Sequence, residues 1–145
     1  MSLWRDYLAA HPDYASESPV VDQFGDSPEL ADALLELVLT GPKRATAGLA
    51  TDGVPAVGTH WVMTDGAGRE RAVLRTTEVR VGRLDSVDDQ FAWDEGEGDR
   101  SRDDWLASHR RYFRRVIDPA MSDDDLDAVS VVFERFELVW PPTDR

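Results

Sequence analysis

Apolar residues change their spacing several times along the chain, and each change marks an element. Leu3, Trp4, Tyr7 and Leu8 recur on one helical face behind the hydroxyl of Ser2, which predicts a short capped helix ending by Pro12. Residues 13–27 are rich in Ser, Pro, Asp and Gly, and they predict an irregular segment pinned by Val20, Val21 and Phe24. Residues 1–23 are thus an N-terminal helix with an irregular extension. The clearest helix follows. Ser27 supplies its cap, Pro28 fits the first position, Leu30, Ala33, Leu34, Leu37 and Val38 form its apolar stripe, and Gly41 stops it.

Beyond Gly41 the period shortens. Residues 45–49, 59–64 and 71–81 read as strands separated by Asp52-Gly53 and Asp65-Gly66-Ala67-Gly68, turn chemistries that predict successive hairpins in an antiparallel meander. Residues 88–95 suit a short helix, broken by Gly96 and Gly98 before a longer one that Ser101 caps and Val116 closes. Residues 129–140, rich in β-branched and aromatic side chains, read as a last strand ended by Pro141-Pro142. Within it Val132, Phe136, Leu138 and Trp140 share a face that Glu134 interrupts. Either a bulge or an inward-facing carboxylate accounts for that. The order of elements predicts one α+β domain over residues 1–145, with a curved sheet or small barrel flanked by helices.

Composition narrows the functional classes. With 41% hydrophobic residues and thirteen aromatic ones among 145, the chain has material for a core. A chain of that size buries roughly two-thirds of its unfolded surface, so it needs no covalent staple. The absence of cysteine removes disulfide, thiolate-metal and cysteine-nucleophile chemistry. No apolar run approaches membrane-spanning length and no basic segment precedes a signal-like core, which predicts a soluble, cytoplasmic protein without a membrane partner. Sixteen basic against twenty-nine acidic residues give a formal charge of −13, a field that repels polyanions and argues against DNA. Arg110, Arg111, Arg114 and Arg115 nevertheless suggest a local basic face.

Several side chains are candidates for chemistry. Lys43 and Thr46 lie where a helix gives way to a strand; a partly desolvated lysine loses basicity and can then take a proton from a nearby hydroxyl. Capping of helix carbonyls by the lysine is the plainer alternative. Asp94-Glu95-Gly96-Glu97-Gly98-Asp99 concentrates carboxylates in a glycine-punctuated turn, able to orient Lys43, to act as acid or base, to hold a hard cation, or to be solvated surface. His109 falls near the centre of the arc formed by Trp105, Leu106, Tyr112, Phe113 and Val116, either as a core histidine or facing a cavity. His11, His60 and His109 are the only histidines, and their spacing gives no metal pair.

Taken together, Phe24-Gly-Asp-Ser, the helix ending in Gly41-Pro-Lys43-Arg-Ala-Thr46, Thr76-Thr-Glu-Val79, Glu95-Gly-Glu-Gly-Asp-Arg-Ser101, Trp105, His109, Phe113 and Glu134-Arg-Phe136 resemble the ASCH domain family over nearly the whole chain. The resemblance implies a PUA-like, mainly antiparallel β-barrel with flanking helices, and a cleft that recognises RNA or a modified nucleoside. Some small members of that family are N4-acetylcytidine amidohydrolases, and by matching position Lys43, Thr46 and Glu95 become the implied catalytic residues, with Glu97 the alternative if the register slips. Arg44, Trp93, Glu97, His109, Glu134 and Arg135 are then the implied substrate contacts. That activity requires no cofactor. Two further readings stand beside it: a noncatalytic RNA-binding module using the arginine face and stacking on Trp93 or Tyr112, and a ribonuclease with Mg²⁺ or Mn²⁺ on carboxylates of the acidic turn.

Overall fold

The computed structural model describes residues 2–142. Helix α1 (Leu3–Ala10) is followed by strand β1 (Val20–Gln23), helix α2 (Pro28–Thr40), strands β2 (Ala45–Leu49), β3 (His60–Thr64) and β4 (Glu70–Arg83), helices α3 (Asp89–Glu95), α4 (Arg102–Val116) and α5 (Asp123–Asp127), and strand β5 (Ser130–Trp140). The caps foreseen from sequence are present. Ser2, Ser27 and Ser101 each accept a backbone N–H in the first turn of the following helix, and Gly41 ends α2 with a φ of 109°. Asp88 and Ser122, not expected as caps, do the same for α3 and for α5, a helix the sequence reading does not include. Among the described residues no helix is long and apolar enough to cross a membrane.

The sheet is mixed, with strand order β1-β3-β4-β5-β2. This order corrects the expected run of hairpins. β3 and β4 do form one, closed by an Asp65 carboxylate that accepts the N–H groups of Ala67 and Arg69. β2, however, pairs antiparallel with β5 across most of the sequence, and the Asp52-Gly53 turn belongs to a long connection. A two-residue turn signal reports only local backbone preference; the apolar face of β2 finds more cover beside β5. β1 is a second correction. It adds parallel to β3 and leaves Val20 and Val21 exposed, so of the three expected anchors only Phe24 is buried, and Tyr14, packed against Tyr7 and His60, holds the segment as well. Parallel pairing leaves no local turn to read. In α2 the buried side chains are Ala31, Leu35 and Val38, a rotated stripe, because that helix is apolar around most of its circumference.

Two compact units divide the chain. The first comprises Met1–Gly41, Pro55–Glu78 and Phe136–Arg145, the second Pro42–Val54 and Val79–Arg135, so β4 and β5 each run through both. In the first unit, Phe24, Leu35, Val38, Met63, Ala72, Leu74 and Phe136 form one cluster, and Tyr7, Val62 and Val73 another under α1. In the second, Ala45, Leu84, Phe91, Trp105, Phe113, Leu126, Val131 and Phe133 form the core. That core is the floor of the candidate site.

Candidate functional site

Helix α3 is too short to stand alone, and its position is set by the burial of Phe91 and Ala92. Glu95 lies one turn after Phe91, so the same face carries it inward, to 1% exposure. A buried carboxylate at a helix C-terminus faces both desolvation and the negative end of the backbone dipole. It needs cations and donors. Lys43, also 1% exposed, supplies an ammonium 3.2 Å from Glu95 Oε1. The Trp105 indole N–H donates to Glu95 Oε2, and His109 Nε2 lies 3.4 Å from that oxygen.

The turn after α3 brings a second carboxylate to the same ammonium. Gly96 adopts a φ of 71°, and a Cβ there would fall 2.5 Å from the Pro42 carbonyl oxygen, so only glycine allows the backbone to turn so closely over the entry to β2. Glu97 is thereby delivered with Oε2 2.7 Å from Lys43 Nζ, its side chain 30% exposed. The third donor position of Lys43 reaches the Ala45 carbonyl at 2.8 Å. Arg100 holds the outside of this turn: at a φ of 65° it donates from Nε to the Trp93 carbonyl, and its guanidinium lies 3.7 Å over the Trp93 ring.

The four groups set one another's charge. Burial alone would lower the pKa of Lys43, as expected from sequence, but the adjoining Glu95 and Glu97 carboxylates outweigh it and raise the pKa, so Lys43 is an ammonium. Burial pushes Glu95 up, and the charges of Lys43 and His109 more than reverse that, holding it well below the usual carboxylate range. Glu97 is raised by burial and by the neighbouring Glu95 charge, with which it also shares a hydrogen bond. His109 is raised: burial opposes its charge, but Glu95 prevails. The expectation that Lys43 acts as a low-pKa base therefore meets a correction, because Glu95 at the end of α3 and Glu97 in the turn after it both reach its ammonium.

Thr46 takes a different place. Residues opposed across an antiparallel pair share a face, so Thr46 lies with Glu134, and Ala45, Ala47, Val131 and Phe133 lie on the other. The latter group packs with Phe91 and Trp105, the side to which Glu95 is tied. The structure thus brings Lys43, Glu95, Glu97 and His109 together, while Thr46 sits beside Glu134 on the opposite face. Glu134 itself is 8% exposed within an unbroken β2–β5 register, which selects the inward carboxylate over a bulge.

The remaining candidates surround the acidic turn. The Arg44 N–H donates to the Asp94 carbonyl at 2.7 Å while its side chain stays exposed, and Arg135 reaches Asp94 Oδ2 at 3.2 Å and covers the Phe91 ring. Trp93 is 51% exposed. The proposed arginine face is largely engaged: Arg110 is bidentate with Asp127, Arg114 pairs with Asp123, and Arg115 lies over Tyr112. The apolar arc of α4 marks Trp105 as a core residue, yet its indole N–H serves Glu95; a buried indole whose N–H requires a partner is the available signal.

Among the described residues no group of three or more His, Cys, Asp or Glu side chains is arranged for a metal ion. The acidic turn does not fit one, because the Lys43 ammonium stands between the Glu95 and Glu97 oxygens and Asp99 accepts the Ser101 N–H. An open cavity of about 150 Å³ lies within the first unit, lined by Asp32, Leu35, Asp65 and Arg69 among others, and contains none of the candidate residues.

Residues 20–140 match the family model for the ASCH domain. The chain is similar to the crystal structure of an ASCH domain from Lactobacillus crispatus JV V101, with a TM-score of 0.82, 26% identity, and coverage of 94% of this chain and 91% of that one. It is also similar to a protein from Enterococcus faecalis V583, with a TM-score of 0.81, 28% identity, and coverage of 95% and 88%. Comparison with curated proteins finds no match.

Proposed function

The chain belongs to the ASCH domain family, RNA-binding-like domains of PUA-like fold, and from that premise we propose that it is a nucleoside-scale amidohydrolase acting on an N-acylated base of the N4-acetylcytidine type. The observation that carries this reading is the buried ammonium of Lys43 gripped by two carboxylates, of which one, Glu97, reaches solvent. An ammonium cannot serve as a base. The proton-handling role therefore passes to Glu97, whose raised pKa brings it closer to the working pH of a general acid and base.

In this mechanism water attacks the acyl carbon and Glu97 takes its proton. Protonation weakens the hold of Glu97 on Lys43, and the freed N–H donates to the oxyanion of the tetrahedral intermediate. Collapse breaks the C–N bond, the proton on Glu97 passes to the departing exocyclic nitrogen, and a carboxylic acid and a free base amine result. Glu95 remains an anion and holds the ammonium. No metal or cofactor enters any step. A neutral nucleoside also suits a chain of formal charge −13 better than long RNA does.

The test is hydrolysis of N4-acetylcytidine by the purified chain, followed by release of acetate. Turnover that is lost in Glu97→Gln and retained in Thr46→Val supports these roles; turnover unchanged in Glu97→Gln overturns them. A second reading, recognition of a base within RNA, is favoured by the exposed Trp93 ring backed by Arg100. Its signature is RNA affinity that falls with salt and disappears in Trp93→Ala. Absence of binding at low salt removes it.

A further inference from the structure

His109 contacts two groups that only accept hydrogen bonds. Its Nδ1 lies 2.8 Å from the Trp105 carbonyl oxygen, one helical turn back, and its Nε2 faces Glu95 Oε2 at 3.4 Å. A neutral imidazole has one N–H and one lone pair, so either neutral tautomer would set a lone pair against an oxygen lone pair inside a buried cluster. Stacking on Trp105 at 3.8 Å between centroids and 16° between planes keeps the ring from turning away and places the π-face of the indole against it, an arrangement favourable to a cation.

The geometry points to His109 as a positioning residue of the site: an imidazolium donating from both nitrogens, it fixes Glu95 as a permanent anion beneath Lys43, so that the one proton the cluster exchanges with solvent resides on Glu97. The role of Glu97 rests on the hydrolase reading above; the protonation of His109 and Glu95 does not. The titratable groups facing His109 are Glu95 from α3, Glu97 from the following turn and, across Glu95, Lys43 from the entry to β2. With His109 and Lys43 both charged, two cations face two carboxyl groups. The cluster is neutral when Glu97 is ionised and positive when it is protonated. Glu97 can therefore cycle without ever leaving the cluster with net negative charge, and Glu95 has no part in the exchange.

The experiment is NMR of the full-length chain with ¹⁵N-labelled histidine and ¹³C-labelled glutamate carboxyls across a pH series. The expected result is that both His109 nitrogens show imidazolium shifts at about pH 7.5, where an ordinary histidine is mostly neutral. In His109→Gln, which keeps one amide donor and loses the charge, the Glu95 midpoint rises by about one pH unit or more and the proton distributes over both carboxyls. A single-tautomer neutral ring at about pH 7 in the wild type overturns the inference, as does a Glu95 titration unmoved in His109→Gln. If His109→Gln fails to fold, the wild-type spectrum decides alone. An imidazolium in a chain that does not hydrolyse N4-acetylcytidine leaves this inference standing and removes the hydrolase. A neutral ring in a chain that does hydrolyse it does the reverse.

Discussion

The Lys43 ammonium meets the Glu95 carboxylate at 3.2 Å, although 52 positions separate them and both side chains are shut off from solvent. Such a pair is expensive to leave half made. Its desolvation cost is offset only while every partner is present, and the Ala45 carbonyl, the Trp105 indole and His109 complete the set.

Lys43→Met is accordingly expected to destabilise the fold by about 3–5 kcal/mol at neutral pH, because it leaves the buried Glu95 and part-buried Glu97 carboxyls with His109 as the one remaining cation of the cluster. The double variant Lys43→Met/Glu95→Gln recovers a large part of that loss. Denaturant unfolding of the wild type, both single variants and the double variant gives the coupling directly. Additive losses would show that the pair is not energetically linked.

Gly96→Ala places a methyl group against the Pro42 backbone in a left-handed conformation. A cost of about 1–3 kcal/mol is expected, with Glu97 displaced from Lys43. Thermal unfolding checks the stability. Turnover of N4-acetylcytidine checks the displacement, which should lower kcat more than it raises KM.

Glu97→Gln is expected to cut turnover by about 10²–10⁴-fold, the usual contribution of a general acid and base, while moving Tm by no more than a few degrees. Thr46→Val is expected to stay within about threefold of the wild type, because the Thr46 hydroxyl lies on the Glu134 face. A hundredfold loss in Thr46→Val would restore the threonine as nucleophile.

The pH dependence of stability carries a defined sign. The pKa of His109 is raised in the folded chain, so its stabilising effect is complete below about pH 6.5 and fades as pH rises through the folded value. Glu95, held low, contributes the opposite way: present above the ordinary carboxylate pKa and lost in acid. Comparing unfolding free energies of wild type and His109→Gln from about pH 5 to 9 should show the gap narrowing on the alkaline side. A gap that widens with pH would contradict the ion pair with Glu95.

Local chemistry was legible at most places where neighbours in sequence are neighbours in space, though not at α5 behind Ser122. Ser27, Pro28 and Gly41 bound α2 as their backbone preferences require, Ser101 caps α4, and residues 45–49 form the expected strand. The resemblance carried by motifs from Phe24 to Phe136 led to the family and its PUA-like fold. Lys43 and the Glu95 turn are legible as candidates because they lie at the edges of elements rather than inside apolar runs.

The remainder depended on contacts between distant segments. β1 joins β3 in parallel and β2 joins β5 across most of the chain, pairings between distant segments that no turn announces. The protonation of Lys43 was decided the same way. A lysine entering a core loses its charge unless anions follow it in, and whether Glu95, Glu97 or both would arrive depended on how closely Gly96 passes Pro42. The side of the sheet that received Thr46 was likewise settled by strand register, because a period of two turns a shift of one residue into a change of face.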